Sequence, residues 1–395
     1  MMTSRYRSRT ARLTVSLVVT IGSIWPATAQ TPRVTKTPAA KSAPANERSV
    51  CLDGNSAPDA AIAACSRLIA ADKAAGADLG TFYNQRAVAW LRKSQFDRAL
   101  EDLNMAIKLD PKSATAFANR GYAFDGMDDV DHAIADFDEA IRLGDSEPHV
   151  FDQRGALWFG KEDYDRAIAD FNEAIRRQPG WARAYEHRAR AFDAKGDFNR
   201  AMADYDQAIK LDARNAAFYL HRGEAWATKD LNRSMTDLNQ AIRLNPNYSD
   251  AYQLRGNLWK AKQDLDRAFA DYNEAIRIDG NPSSFNSRGY IWYIKKNYDR
   301  AIADYNEAVS RVPRNPFFLY NRGLAWRDKG DLKKAIADLD AAIGLLPNNT
   351  QFLTSRAFTH EVANDFVKSR ADYNAALAIN PKDRAAIEGL RRVGQ

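Results

Sequence analysis

Small and apolar residues recur along most of the chain with a period of 34 residues, which twice shortens to 33. We number each unit so that its most regular small residue is position 8. Apolar residues at positions 4, 8 and 11 then lie three or four residues apart, and positions 20, 24 and 27 repeat that spacing. Because this spacing places side chains on one helical face, each unit predicts two amphipathic helices. Position 8 is occupied by Ala87, Gly121, Gly155, Ala189, Gly223, Gly256, Gly289, Gly323 and Ala357.

The two helices of a unit are predicted to run antiparallel. Position 4 is expected to face position 27, position 8 to face 24 and position 11 to face 20, so the order along one helix reverses along the other. Asp or Asn stands at position 16 in eight units, where its side chain can cap the second helix. A single hairpin buries only part of its apolar surface, so we expect the units to stack into a solenoid.

These units resemble the tetratricopeptide repeat (TPR) family. The resemblance rests on the small residue at position 8, on alanine at position 27 in all nine units and on a proline near position 32 in six. It covers residues 80–381 and implies an all-α, superhelical solenoid of about nine helix-turn-helix units. Residues 48–79 are expected to form an N-terminal capping segment, and residues 382–395 a C-terminal capping helix.

The N-terminus has the pattern of a secretory signal peptide over residues 1–29. Arginines precede an apolar stretch of 13 residues, and Ala27, Thr28 and Ala29 fit a cleavage site. An uncleaved membrane anchor is the alternative, although a spanning helix needs about 20 apolar residues. Residues 30–47, rich in Pro, Ala and Thr, predict a disordered linker. We therefore expect an exported bacterial protein, periplasmic or secreted, without membrane insertion after signal cleavage.

Two cysteines, Cys51 and Cys65, are the only ones in the chain. Export to an oxidising compartment favours a disulfide between them, which would hold the short capping segment together. The alternative is two separate buried thiols.

The formal net charge of +6 comes entirely from the N-terminal segment. Residues 1–47 hold seven basic residues and one acid, so the remaining 50 basic residues balance 50 acids. A neutral body argues against nucleic-acid binding, which needs a surplus of Lys and Arg on one face.

One polar pair occurs in every unit, an arginine at position 7 and an aspartate at position 23. Arg222 with Asp237 and Arg255 with Asp271 are central examples. Their positions predict structural ion pairs across a hairpin or between neighbouring hairpins. The alternative is a ladder of arginines for an anionic ligand.

No constellation of residues indicates catalysis. Residues 155–162 match the start of a phosphate-binding loop, but the motif ends in Glu162 where Ser or Thr would bind Mg²⁺, and no strand precedes it. His187 and His221 share position 6 of successive units, and we interpret them as surface-facing helix residues rather than metal ligands. We therefore predict no enzyme, no cofactor and no metal site.

The resemblance implies that positions 2, 5, 9, 12 and 13 of the first helix line a ligand groove. In units seven to nine these positions carry an unusual number of apolar residues, which favours a partner-binding surface. The alternative is that these side chains pack on each other. The family's carboxylate clamp is not supported, since Gln253 stands where it needs Lys beside Asn257. The candidate partner-binding residues are Tyr290, Tyr293, Ile294, Phe317, Tyr320, Leu324 and Phe358.

The leading interpretation is a non-catalytic, exported scaffold that presents its groove to a peptide segment or a protein partner. The alternative is a structural protein whose repeats self-associate into homo-oligomers. The identity of the partner does not follow from the sequence.

Overall fold

The computed structural model describes residues 44–71 and 77–394, and within these residues it contains 21 helices and no strand. The predicted signal peptide and most of the predicted linker lie outside them. The helices are α1 (Pro44–Leu52), α2 (Pro58–Ala70), α3 (Ala77–Arg92), α4 (Phe96–Leu109), α5 (Ala114–Gly126), α6 (Val130–Arg142), α7 (Pro148–Gly160), α8 (Tyr164–Arg177), α9 (Ala182–Ala194), α10 (Phe198–Leu211), α11 (Ala216–Trp226), α12 (Leu231–Leu244), α13 (Ser249–Ala261), α14 (Leu265–Asp279), α15 (Pro282–Ile294), α16 (Tyr298–Arg311), α17 (Pro316–Lys329), α18 (Leu332–Leu345), α19 (Thr350–Val362), α20 (Phe366–Ile379) and α21 (Arg384–Val393).

Helices α3 to α20 form nine consecutive packed pairs, which we call repeats 1 to 9. Each pair holds the first and second helix of one predicted unit, so the predicted all-α repeat architecture is confirmed. The alanine at position 27 is buried in every repeat, which lets the two helices of a pair approach closely. Contacts divide the chain into two compact units, one ending at Asp212 and the other beginning at Ala213.

The core of each hairpin places a small residue against a large one. Gly256, at position 8, faces the fully buried ring of Tyr272, at position 24; a Cβ atom at Gly256 would lie 2.7 Å from Cε1 of that ring. Gly121 and Phe137 repeat the arrangement, with a corresponding distance of 2.8 Å. The predicted match between positions 8 and 24 is therefore present in the structure.

The turn between the two helices of most repeats has two recurring features, a capping Asp or Asn and a left-handed residue before it. The predicted Asp or Asn at position 16 caps the second helix in all eight repeats that carry it; Asp163, for example, accepts from the backbone N–H of Arg166 at 3.1 Å. The preceding residue has a left-handed backbone in every repeat but the fifth. Repeat 5 lacks it because its turn is one residue shorter. The left-handed residues are Ser94, Asp128, Glu162, Gly196, Gln263, Lys296, Gly330 and Asn364.

The N-terminal helices α1 and α2 are joined by a disulfide between Cys51 and Cys65, whose Cα atoms lie 4.9 Å apart. Both cysteines are buried against Phe82 of α3. Helix α1 begins at Pro44, inside the segment predicted to be a linker up to residue 47. An ion pair of 2.7 Å between Glu47 and Arg67 extends the contact between α1 and α2, which explains this difference.

Helix α21 covers the end of the ninth repeat. It buries Ala386, Gly389 and Val393, and its exposed side carries charged residues. Arg392 donates to both carboxylate oxygens of Glu361, at 2.8 and 3.0 Å. A polar outer face is what the terminal element of a stack of repeats requires, because no further repeat covers it.

Candidate functional site

The arginine and aspartate of each repeat form a two-pronged ion pair across their own hairpin. Arg255 donates from Nε and Nη2 to the two carboxylate oxygens of Asp271, at 2.9 and 2.7 Å, and Arg222 makes the same contacts with Asp237. The side chains of Asp237 and Asp271 are 7% exposed. Bidentate hydrogen bonds between a guanidinium and a carboxylate are stronger and more directional than single ionic contacts.

In most repeats a third guanidinium nitrogen of the position-7 arginine donates to a side chain of the preceding hairpin. Arg255 Nη1 donates to Oδ1 of Asn239, at position 25 of the repeat before, at 2.8 Å. The same contact recurs in both compact units, between Arg120 and Asn104, Arg154 and Asp138, Arg188 and Asn172, Arg288 and Asn273, Arg322 and Asn306, and Arg356 and Asp340. Because intramolecular acceptors already occupy three guanidinium nitrogens, the geometry favours structural ion pairs over a ligand ladder.

In the first unit the first helices of repeats 3 and 4 bring together a buried polar cluster. His187 Nδ1 lies 2.8 Å from Asp152 Oδ1, and Arg183 Nε donates to His187 Nε2 at 3.3 Å. His187 is only 8% exposed, so the prediction that it faces the surface is wrong. The reason is that Asp152, on the preceding first helix, provides a buried hydrogen-bond partner. Over the described residues, no group of His, Cys, Asp and Glu is arranged to hold a metal ion.

In the second unit the first helices of repeats 6 to 9, α13, α15, α17 and α19, are linked by side-chain contacts. Lys260 Nζ lies 5.4 Å from the ring centroid of Tyr290, and the Tyr293 hydroxyl donates to Asp328. The guanidinium of Arg327 lies 5.2 Å from the ring centroid of Phe358. We call the surface that these contacts follow the first-helix groove; it comprises Lys260, Asn286, Tyr290, Tyr293, Ile294, Leu324, Arg327 and Phe358.

Three of the predicted partner-binding residues are exposed apolar side chains in this groove. Tyr290 is 40% exposed, Ile294 44% and Phe358 38%. Tyr293 and Leu324 are half-buried, the former beside Tyr298 at a ring-centroid distance of 5.8 Å. Tyr290, Ile294 and Phe358 are therefore accessible to a partner, whereas Tyr293 and Leu324 also pack against the buried cores of their repeats.

The remaining two predicted residues belong to the packing between repeats. Tyr320 is 8% exposed and stacks on Phe352 of the next first helix at 4.8 Å, and its hydroxyl lies 3.1 Å from Ser355 Oγ. Phe317 is half-buried and meets the same Phe352 ring edge-on at 5.4 Å. The expectation that Tyr320 is an open groove residue is wrong, because Phe352 fills the space in front of it.

A cleft of about 360 Å³ opens in the groove between repeats 6, 7 and 8. Lys260 forms part of its wall. Burial disfavours the charged form of the Lys260 ammonium group and therefore lowers its pKa. Asn321 Nδ2 donates to Asn286 Oδ1 at 2.9 Å along the same wall. Sequence reasoning did not select Asn321, which stands at position 6 and follows an asparagine at position 5 of the preceding repeat. The same pattern in the first two repeats, where Asn119 donates to Asn84, was the available signal. The cleft is lined by Lys260, Ala261, Asn286, Ser287, Tyr290 and Asn321.

These paired helices, with a groove along their first members, define an α-helical repeat protein. Family models agree with this class: a model described as tetratricopeptide repeat matches residues 85–148 and 288–350, one described as TPR repeat matches 189–230, and a second tetratricopeptide repeat model matches 249–282. Together they cover about half of the chain. The chain belongs to the tetratricopeptide repeat family.

Several solved structures are similar to this chain. YrrB, described as a TPR protein with an unusual peptide-binding site, is 18% identical over 47% of this chain and 97% of its own, with a TM-score of 0.41. A TPR protein from Parabacteroides merdae is 16% identical over 63% and 99%, with a TM-score of 0.47. PilF from Pseudomonas aeruginosa is 18% identical over 52% and 94%, with a TM-score of 0.48. Similarity at this level does not bear on ligands. No curated protein matches the chain.

Among the described helices, none combines the length and the apolar character that crossing a membrane requires.

Proposed function

We propose that this protein is a non-catalytic scaffold that binds an extended peptide segment of a partner protein in its first-helix groove. The observation that carries the proposal is the exposure of Tyr290, Ile294 and Phe358 on a surface linked from α13 to α19 by side-chain contacts. Apolar side chains that stay accessible beside polar ones are typical of interaction surfaces. Aromatic anchors in partly enclosed grooves supply much of the binding energy of such interfaces.

The packing of the repeats does not require these three side chains. Buried residues at positions 8, 24 and 27, such as Tyr305 and Ala308 of repeat 7, already form the cores of the hairpins. Tyr290 and Ile294 of α15 instead keep 40% and 44% of their surface exposed. Their truncation is therefore expected to change binding without unfolding the protein.

The test is binding of a library of short synthetic peptides of random sequence to the immobilised protein. The peptides that the native protein retains are then measured against Tyr290→Ala combined with Ile294→Ala. We expect these peptides to bind the double variant at least about tenfold more weakly, because aromatic and apolar anchors often contribute about 2 kcal/mol each. Circular dichroism should show unchanged helical content.

The matched control is Val367→Ala, which truncates a 72% exposed apolar residue on the second helix of repeat 9. Its peptide affinity should equal that of the native protein. Equal binding by all three proteins would place the peptide elsewhere, and a library from which the native protein retains nothing would contradict peptide binding itself.

We further propose that the protein acts after export, in the cell envelope. The support is the sequence pattern of residues 1–29 together with the disulfide between Cys51 and Cys65. Intact-mass measurement of the protein from envelope fractions should give a chain beginning near Gln30, two hydrogen masses lighter before reduction than after. A chain that retains residues 1–29, or two free thiols, would contradict this part of the proposal.

Self-association is the second candidate function. Val362, Phe366 and Val367, which flank the turn of repeat 9, are 47%, 43% and 72% exposed and favour an apolar contact there. The charged outer side of α21 argues against end-to-end stacking at the C-terminus. Light scattering that shows particle mass growing with protein concentration would favour self-association over the scaffold.

A further inference from the structure

Lys260 is a cation without a carboxylate partner in the groove. Its ammonium lies over the ring of Tyr290, and within the described chain no carboxylate oxygen approaches it within ion-pair distance. Other lysines near the end of a first helix differ. Lys161 pairs with Asp131 at 2.6 Å and Lys295 with Asp266 at 3.3 Å, in each case reaching the second helix of the preceding repeat. Lys260 instead extends into the cleft.

Burial makes this arrangement costly for the isolated protein. Removing an ammonium group from water weakens its hydration, and an acidic neighbour normally compensates for the loss. The lowered pKa of Lys260 reflects this uncompensated burial. None of the six residues that line the cleft is acidic.

The cleft also offers neutral hydrogen-bond donors. Asn286 Oδ1 already accepts from Asn321, which leaves the amide nitrogen of Asn286 to donate. Tyr290, whose ring centroid lies 5.4 Å from Lys260 Nζ, lines the same cleft and carries a hydroxyl donor. One positive charge with neutral donors beside it is the complement of a single carboxylate.

We propose that Lys260, Asn286 and Tyr290 form a recognition site for the carboxylate of an aspartate or glutamate side chain in the bound peptide. The inference rests on the proposed function, because it specifies the peptide that the first-helix groove binds. Lys260 stands at position 12 of repeat 6, and Asn286 and Tyr290 stand at positions 5 and 9 of repeat 7. The site does not use the two carboxylate-clamp positions of repeat 6: Gln253 is not part of it, and Asn257 accepts a hydrogen bond of 2.8 Å from the Tyr272 hydroxyl.

The packing of the first helices favours a side chain over a chain terminus as the source of the carboxylate. Helix α11 packs before α13, and α17 and α19 follow α15, so first helices continue on both sides of the cleft. A peptide can therefore extend in both directions from its acidic residue. Toward α19 it meets Phe358, so an apolar residue is expected on that side of the carboxylate.

The experiment uses the full chain and random peptides that are acetylated and amidated, so that only side chains carry carboxylates. We expect the native protein to select peptides with Asp or Glu at one fixed position. Replacing that residue by Asn or Gln should weaken binding to the native protein at least about tenfold. This comparison needs no protein variant and so does not depend on one that folds.

Lys260→Met should lose the preference for an acidic residue while it keeps the apolar preference, and its melting temperature should not fall. The control is Lys262→Met, which removes the same charge from an exposed lysine that donates to Asn232 at 2.8 Å; its selection should match that of the native protein.

Selected peptides without an acidic position would overturn the inference and leave the proposed function intact. A second library with free C-termini is tested in parallel. Peptides retained from that library and none from the amidated one would overturn the inference too, because the carboxylate would then come from the chain end. A native protein that retains no peptide from either library would contradict the proposed function, and this inference with it.

Discussion

Arg255→Ala is expected to lower the free energy of unfolding of the second unit by about 3 kcal/mol, because it leaves the buried carboxylate of Asp271 without its partner. The substitution removes three hydrogen bonds at once, two to Asp271 within the hairpin and one to Asn239 of the preceding hairpin. Chemical unfolding followed by circular dichroism measures the change. Arg255→Lys should fall between the native protein and the alanine variant, since an ammonium cannot reproduce the planar fork.

The control for this prediction is Arg277→Ala in the same repeat. Arg277 pairs with Glu274 at 2.9 Å on the surface, where its side chain is 60% exposed. An exposed pair of this kind contributes about 0.5 kcal/mol or less. Equal effects of the two substitutions would show that the buried pair has no special structural role and would reopen the ligand-ladder interpretation.

Tyr272→Ala is expected to destabilise the same unit by about 3–5 kcal/mol, as removal of large buried aromatic rings does. The ring is fully buried against Gly256, which has no side chain to fill the cavity. Tyr272→Phe keeps the ring and removes only the hydroxyl, which hydrogen-bonds Asn257 and Ser287, so it should cost about 1 kcal/mol. Thermal and chemical unfolding of both variants tests the difference. Similar stability of the two variants would contradict the packing described for positions 8 and 24.

The features that the sequence predicted correctly depend on contacts within one repeat. The cap formed by Asp163 and the contact between Gly256 and Tyr272 both arise inside a single hairpin. Their residues recur at fixed positions, because each hairpin repeats the same local geometry. A periodic pattern is therefore enough to predict them.

The features that the sequence missed depend on the particular neighbour that each repeat has. Tyr320 is buried because Phe352 stands on the following first helix, and His187 because Asp152 stands on the preceding one. Neither Phe352 nor Asp152 belongs to the pattern that defines the repeat. The positions within one unit therefore do not distinguish open groove residues from packed ones.

One contact between repeats had a signal that could have revealed it. Position 25 holds Asn or Asp in repeats 1 to 3 and 5 to 8, where it accepts from the arginine of the next repeat; Asn239 is an example. A second signal was the basic residue at position 19, which lies over the aromatic ring at position 11, as Arg166 does over Trp158 at 3.8 Å. Both are regular enough to be read from aligned repeats.

Site-specific photo-crosslinking tests most directly whether the first-helix groove binds peptides. A benzophenone amino acid is placed at Ile294 in one variant and at Val367 in another, two exposed apolar positions on a first and a second helix. After irradiation with a peptide selected by the native protein, we expect covalent adducts at position 294 and none at position 367. Adducts at position 367 with none at position 294 would contradict the account and move the binding surface to the second helices.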